Sequence, residues 1–133
     1  MQKVEHIGIA VKELSTSILL FEKLFDTTCY KTEIVEDEKI KTAFFKIGQT
    51  KVELLENMGP GGVIAKYIEN RGEGLHHIAF KVADIEAEML RLSQAGFQLL
   101  SAVPKNGADN KLVCFLHPKN TNGVLIELCQ DIF

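Results

Sequence analysis

The sequence predicts an α+β fold in which one βαβββ module is used twice. Three observations carry that expectation: an internal repeat, an amphipathic helical period in each copy, and a matching last strand that holds a glutamate. At 133 residues the chain fits one compact domain, or two very small modules sharing a core. The expected organisation is therefore a single domain over 1–133, built from repeats at about 1–56 and 75–133 and joined by a linker at 57–74.

The repeat appears when the chain is laid against itself. Val4-Glu5-His6-Ile7-Gly8-Ile9-Ala10-Val11 matches Leu75-His76-His77-Ile78-Ala79-Phe80-Lys81-Val82, an offset of 71 residues from His6 to His77. Each segment reads as a strand with a histidine near its start. Each then enters a 3.6-residue apolar period, through Leu14, Ile18, Phe21 and Leu24 in the first copy and Ile85, Met89, Leu92 and Ala95 in the second. Ser15 and Asp84 are the expected N-caps, and Gly96 is expected to close the second helix.

Further strand-like runs follow at 29–35 and 41–47 in the first copy and at 97–103 and 112–116 in the second. The last strands are Lys51-Val52-Glu53-Leu54-Leu55 and Leu125-Ile126-Glu127-Leu128-Cys129, where the offset grows to 74 residues from Glu53 to Glu127. The longer turn at 117–123, in place of the tight Gly48-Gln49-Thr50, absorbs the difference. In the linker, Gly59-Pro60-Gly61-Gly62 opens a turn, 63–70 makes a short helix and Gly72-Glu73-Gly74 ends it.

Composition narrows the function classes. Hydrophobic residues at 46% and charged residues at 25% describe a chain that folds. A net charge of −3 with scattered lysines offers no stripe for a phosphate backbone, so no nucleic-acid partner is expected. The start of the chain lacks the layout of a signal peptide and no apolar run is long enough to span a bilayer, so a soluble, cytoplasmic protein is expected. Cys29, Cys114 and Cys129 have no CxxC spacing and read as small buried hydrophobes in a reducing compartment.

The glutamates carry the chemical argument. Each sits inside a strongly apolar strand, and a lone buried carboxylate costs several kcal/mol unless it is paired or bound to a metal. Symmetry-related placing of His6 with His77 and of Glu53 with Glu127 therefore points to a divalent metal site of two imidazoles and two carboxylates. Such a nitrogen-and-oxygen set suits cobalt, manganese, nickel, iron or zinc better than calcium or magnesium. His76, on the opposite face of its strand from His77, and His117, in a turn, read as structural.

With those residues in place, the chain resembles the vicinal oxygen chelate superfamily over nearly its whole length. That superfamily includes glyoxalase I, extradiol dioxygenases and methylmalonyl-CoA epimerase. The double His76-His77, and the turn His117-Pro118-Lys119 ahead of Gly123-Val124-Leu125-Ile126-Glu127-Leu128, are more similar to the epimerases than to glyoxalase I relatives, whose turn there is typically Asp-Pro-Asp-Gly.

The resemblance implies a vicinal oxygen chelate (glyoxalase-like) fold and one divalent metal, cobalt before the others, held by His6, Glu53, His77 and Glu127. It also implies an acyl-CoA substrate, interconversion of (2R)- and (2S)-methylmalonyl-CoA through an enolate, and a homodimer. Glu127 would work one face of C2 and, by analogy with glyoxalase I, Glu53 the other. Some relatives place a glutamate on the strand that here reads Ile40-Lys41-Thr42-Ala43-Phe44-Phe45, which has no carboxylate. Lys105 and Lys119 are the candidates for the coenzyme A phosphates. The competing expectations are a lyase acting on a glutathione hemithioacetal, and a non-catalytic binding protein of the same fold that needs no metal.

Overall fold

Alternation of apolar with small or polar side chains forms the first strand, β1 (Lys3–Ala10), and the 3.6-residue period that follows it forms α1 (Leu14–Phe25). A computed structural model describes all 133 residues. The remaining elements are β2 (Lys31–Val35), β3 (Ile40–Ile47), β4 (Thr50–Asn57), α2 (Val63–Arg71), β5 (Gly74–Lys81), α3 (Ile85–Gln94), β6 (Lys105–Gly107), β7 (Lys111–Leu116) and β8 (Ile126–Asp131). This is βαβββ twice, with the linker helix between, as the repeat predicts. No helix is long and apolar enough to cross a membrane.

The chain divides into two compact units, His6–His76, and Met1–Glu5 with His77–Phe133. In the first unit the strand order is β2-β3-β4-β1, with β1 parallel to β4 and the other pairs antiparallel. One face packs under α1, where Ala43, Phe45, Val52 and Leu54 meet Leu14, Ile18, Phe21 and Phe25. Phe25 stands edge-on to Phe45 at 5.5 Å between ring centres. On the other face, Ala10, Ile40 and Leu55 are covered at one end by Ile64, Tyr67 and Ile68 of α2. His6 and Glu53 share the parity of Ala10 and Leu55, so they belong to this second face.

The second unit repeats the plan, with order β5-β8-β7-β6 and β5 parallel to β8. Cys114, Leu116 and Leu128 pack under Ile85, Met89 and Leu92 of α3, while Ala79, Val113 and Cys129 form the opposite face. Cys114 and Cys129 are buried and Cys29 is half-buried, all three as free thiols.

Three local expectations are corrected. Ser15 does not cap α1, because the helix begins at Leu14 with Glu13 in the cap position and no side-chain cap bond of its own. The Leu14 N–H donates instead to Glu56 Oε1 of β4 at 2.5 Å. Asp84 does cap α3, accepting from the Ala87 N–H at 3.1 Å, and Gln130 of β8 accepts from the Ile85 N–H at 2.7 Å. Glu56 and Gln130 occupy equivalent places in the two copies, three residues beyond the strand glutamates. Gly96, at φ +98°, follows α3 as expected.

The run at 97–103 is not a full strand. It touches β7 through the Leu99–Leu116 bridge, with backbone bonds from Leu100 N–H to Phe115 and from His117 N–H to Gln98. It then turns away at Ser101, whose hydroxyl donates to the Val103 carbonyl, and Pro104 has no N–H to continue the ladder. The third correction lies just beyond. The polar stretch after Pro104, which lies between the strand runs expected at 97–103 and 112–116, holds β6, which pairs with β7 around the left-handed residues Asp109 and Asn110.

Two predictions follow from this packing. Glu56→Ala or Gln130→Ala should each lower the unfolding free energy by about 1 kcal/mol in urea titrations, whereas Ser15→Ala should stay within ~0.5 kcal/mol of the parent. Glu56→Gln keeps a carbonyl acceptor and should restore most of the loss. The second concerns Asp131, which is bonded to the ammonium groups of Lys111 and, at 2.9 Å, Lys81. These hold its carboxyl down to about 2, the Lys111 hydrogen bond contributing most. A depressed carboxyl stabilises the fold above its unfolded value and loses that contribution as pH falls through the folded one. Asp131→Asn should therefore be less stable than the parent at neutral pH, and the two unfolding midpoints should converge as pH drops toward about 2.

Candidate metal centre

Parallel pairing decides where the two strand glutamates stand. Glu53 lies beside Gly8 in the β1–β4 register, and Glu127 lies beside Ala79 in the β5–β8 register. Gly8 and Ala79 are themselves equivalent positions of the repeat, each two residues beyond the histidine. The neighbour on the other side is also repeated, Phe44 of β3 opposite Glu53 and Phe115 of β7 opposite Glu127. Each carboxylate is thus flanked by a small residue and a phenylalanine on one sheet face.

In the unit His6–His76, His6 Nδ1 lies 3.1 Å from Glu53 Oε2. In the other unit, His77 Nε2 lies 3.3 Å from Glu127 Oε1. All four residues are buried, with exposures of 5% for His6, 4% for Glu53, 7% for His77 and 5% for Glu127. Phe115 stands edge-on to the His77 ring at 5.7 Å. Apolar walls around a paired imidazole and carboxylate strengthen the electrostatic interaction between them and keep bulk water away.

The donor chemistry fits a divalent transition metal. Two ligand atoms at about 2.1 Å from one ion and at right angles to each other stand about 3 Å apart, which matches both nitrogen-to-oxygen separations. Imidazole nitrogen with carboxylate oxygen is also the set that such ions take in sites with open positions. Within each unit, then, one histidine and one glutamate could serve as neighbouring ligands.

The other histidines differ. His76 packs edge-on against Tyr67 of α2 at 5.0 Å, and burial holds its pKa down to about 4, so the ring is neutral at ordinary pH. His117 caps the short turn at Pro118–Asn120, where its Nδ1 accepts from the Lys119 N–H at 3.0 Å. Lys105 is exposed at the start of β6, and Lys119 is exposed in the same short turn.

One residue on the Glu53 face escaped the sequence reading. Thr42 is 1% exposed, pairs with Leu55 and shares the face of Phe44 and Glu53. The strand parity of 40–46 was the signal that could have found it.

Known proteins share this architecture. The family model of the Glyoxalase/Bleomycin resistance protein/Dioxygenase superfamily matches residues 5–115. An ethylmalonyl-CoA/methylmalonyl-CoA epimerase of Cereibacter sphaeroides is 38% identical over 130 residues, covering 96% of this chain and 97% of the relative. The mitochondrial methylmalonyl-CoA epimerase of Homo sapiens is 33% identical over 129 residues, covering 96% of this chain and 73% of the relative. A solved methylmalonyl-CoA epimerase in complex with methylmalonyl-CoA and ammonium superposes with a TM-score of 0.94 at 31% identity, covering 98% of this chain and 95% of that one. With a family match over most of its length and relatives above 30% identity across nearly all of it, the chain belongs to the Glyoxalase/Bleomycin resistance protein/Dioxygenase superfamily, as a homologue of the methylmalonyl-CoA epimerases.

Proposed function

We propose that this chain is a metal-dependent methylmalonyl-CoA epimerase in which His6, Glu53, His77 and Glu127 together hold one divalent ion, cobalt by preference. The observation that carries this reading is the buried histidine–glutamate pair, found once in each unit at equivalent places of the repeat. Homology to named epimerases supplies the substrate class. Under the same reading the two units are duplicated modules of one cytoplasmic domain, and the chain works as a homodimer.

The residues have separate tasks. His6 and His77 bind as neutral imidazoles, each oriented by the carboxylate beside it. When bound, the metal supplies electrophilic stabilisation of the negative charge that develops on the substrate's oxygens as the C2 proton leaves. Glu127 takes that proton from one face, at Oε2, and can return it there. Glu53 does the same on the opposite face, at Oε1. Either carboxylate can begin the reaction, so the two epimers interconvert. Phe44 and Phe115, paired in register with the two glutamates, limit the water that would otherwise compete for the proton. Lys105 and Lys119 meet the phosphates of coenzyme A.

Incubation of methylmalonyl-CoA with the purified protein in heavy water tests the reading. Deuterium should enter C2, a chelator should stop it and cobalt should restore it. Chelator-insensitive exchange, or none alongside turnover of a hemithioacetal, would overturn it. Glu53→Gln should retain stoichiometric metal in elemental analysis but lose proton exchange from one face by about 10²- to 10⁴-fold. Undiminished exchange of both epimers would remove Glu53 from the mechanism. His6→Ala and His77→Ala should each weaken metal retention, read by the metal content after dialysis.

A further inference from the structure

The two histidines of the candidate centre are not seated alike in their strand pairs. His6 lies inside its parallel ladder, in register with Lys51 of β4. Its repeat equivalent, His77, stands one residue ahead of the corresponding ladder, whose first pair is Ile78 with Ile126, because β8 begins only after the long turn. The Ile78 N–H reaches the Leu125 carbonyl at 3.1 Å at the head of that ladder. Gly74 to His77 therefore enter β5 before its pairing with β8 starts.

The linker helix takes hold of this stretch. Ile64, wholly buried, and the half-buried Tyr67 and Ile68 seat α2 on Ala10, Ile40 and Leu55, the sheet face that also carries His6 and Glu53. From that seat the Tyr67 hydroxyl donates to the Leu75 carbonyl. The ring of the same side chain meets the His76 ring edge-on, at 5.0 Å between centres and 82° between planes. One turn further along α2, the Arg71 guanidinium stands 5.9 Å from the Tyr67 ring centre. One side chain thus fixes the carbonyl of the second residue before His77 and the ring of the first. Successive strand residues point to opposite faces, so holding Leu75 and His76 sets the direction in which His77 leaves the backbone.

We infer that Tyr67 is a positioning residue for the metal, acting through the backbone of Leu75 and His76 to hold His77 in its ligating orientation. The inference rests on the proposed metal site and adds to it the group that prepares one of its ligands. Such support matters because an ion binds tightly only when its ligands are already held near the required geometry. His6 obtains that support from its own ladder. His77, ahead of its ladder, obtains it from α2.

Cobalt titration of the metal-free protein, followed by the visible absorption of the bound ion, tests the assignment. Tyr67→Ala should bind cobalt about tenfold more weakly, with a changed spectrum. Tyr67→Phe, which keeps the ring but loses the bond to Leu75, should fall between it and the parent. Ile68→Ala is the control, since it loosens α2 on the same apolar seat without touching Leu75 or His76, and it should lose stability in urea yet bind cobalt within about twofold of the parent. Parent-like cobalt binding by Tyr67→Ala, or equal weakening by Ile68→Ala, would overturn the assignment, the second because α2 would then serve only the fold. Failure of the parent itself to bind cobalt would sink the metal reading under Proposed function. The positioning role is read separately from exchange of the Ile78 amide in the metal-free protein, which should quicken about tenfold in Tyr67→Ala relative to Ile68→Ala, and equal exchange in the two variants would end it.

Discussion

Two ionisable side chains buried in contact, an imidazole against a carboxylate, impose the tightest constraint on this fold. Glu53 and Glu127 sit between apolar strand neighbours, Val52 and Leu54 in one case and Ile126 and Leu128 in the other, and both are almost fully removed from water. An unpaired carboxylate there would cost several kcal/mol, and stripping one partner from a buried pair costs comparably. The parallel registers of β1 with β4 and of β5 with β8 are what bring each glutamate to its histidine. A slip of one residue in either register would turn the carboxylate toward the apolar helix side.

The helices are tied to the same strands. Three residues beyond each buried glutamate, Glu56 and Gln130 reach the first N–H of α1 and α3. Residues three apart on a strand lie on opposite faces, so one strand presents an acid to the candidate centre and a capping oxygen to the helix behind it. Backbone bonds from the Val11 N–H to Leu55 and from the Val82 N–H to Cys129, both 2.9 Å, repeat at the exits of β1 and β5. Burial of Leu14, Ile18 and Phe21 in one copy, and of Ile85, Met89 and Leu92 in the other, therefore also holds the glutamate strands in place.

Adjacent histidines show how strongly face decides role. His77 turns toward Glu127 and Phe115, whereas His76, the next residue along the same strand, packs against Tyr67 and is kept neutral by burial. Thr42 makes the complementary point on β3. It is a buried polar residue on the face of Glu53, within the stretch that has no carboxylate, so Glu53 is the acid that this face presents beside His6. The proposed division of labour between Glu53 and Glu127 follows from that distribution of charge.

The sequence by itself determined the repeat, the order of elements and the sheet face on which each histidine and glutamate stands. Those features are periodic, and a period of two or of 3.6 residues is written in the identity of neighbours along the chain. It also placed Asp84 and Gly96 correctly, since a cap bond and a left-handed glycine depend on residues close in sequence. Only the tertiary structure decided that Glu56 rather than Ser15 serves α1, that Asp131 joins Lys111 and Lys81, and that Lys46 faces Lys51 beside His6. It likewise decided that the run after Gly96 makes one bridge and then yields to β6 at the edge of β7. Each of these joins residues on different strands, or a strand to a helix. Such contacts follow from register between elements distant along the chain, and no local pattern of residues encodes it.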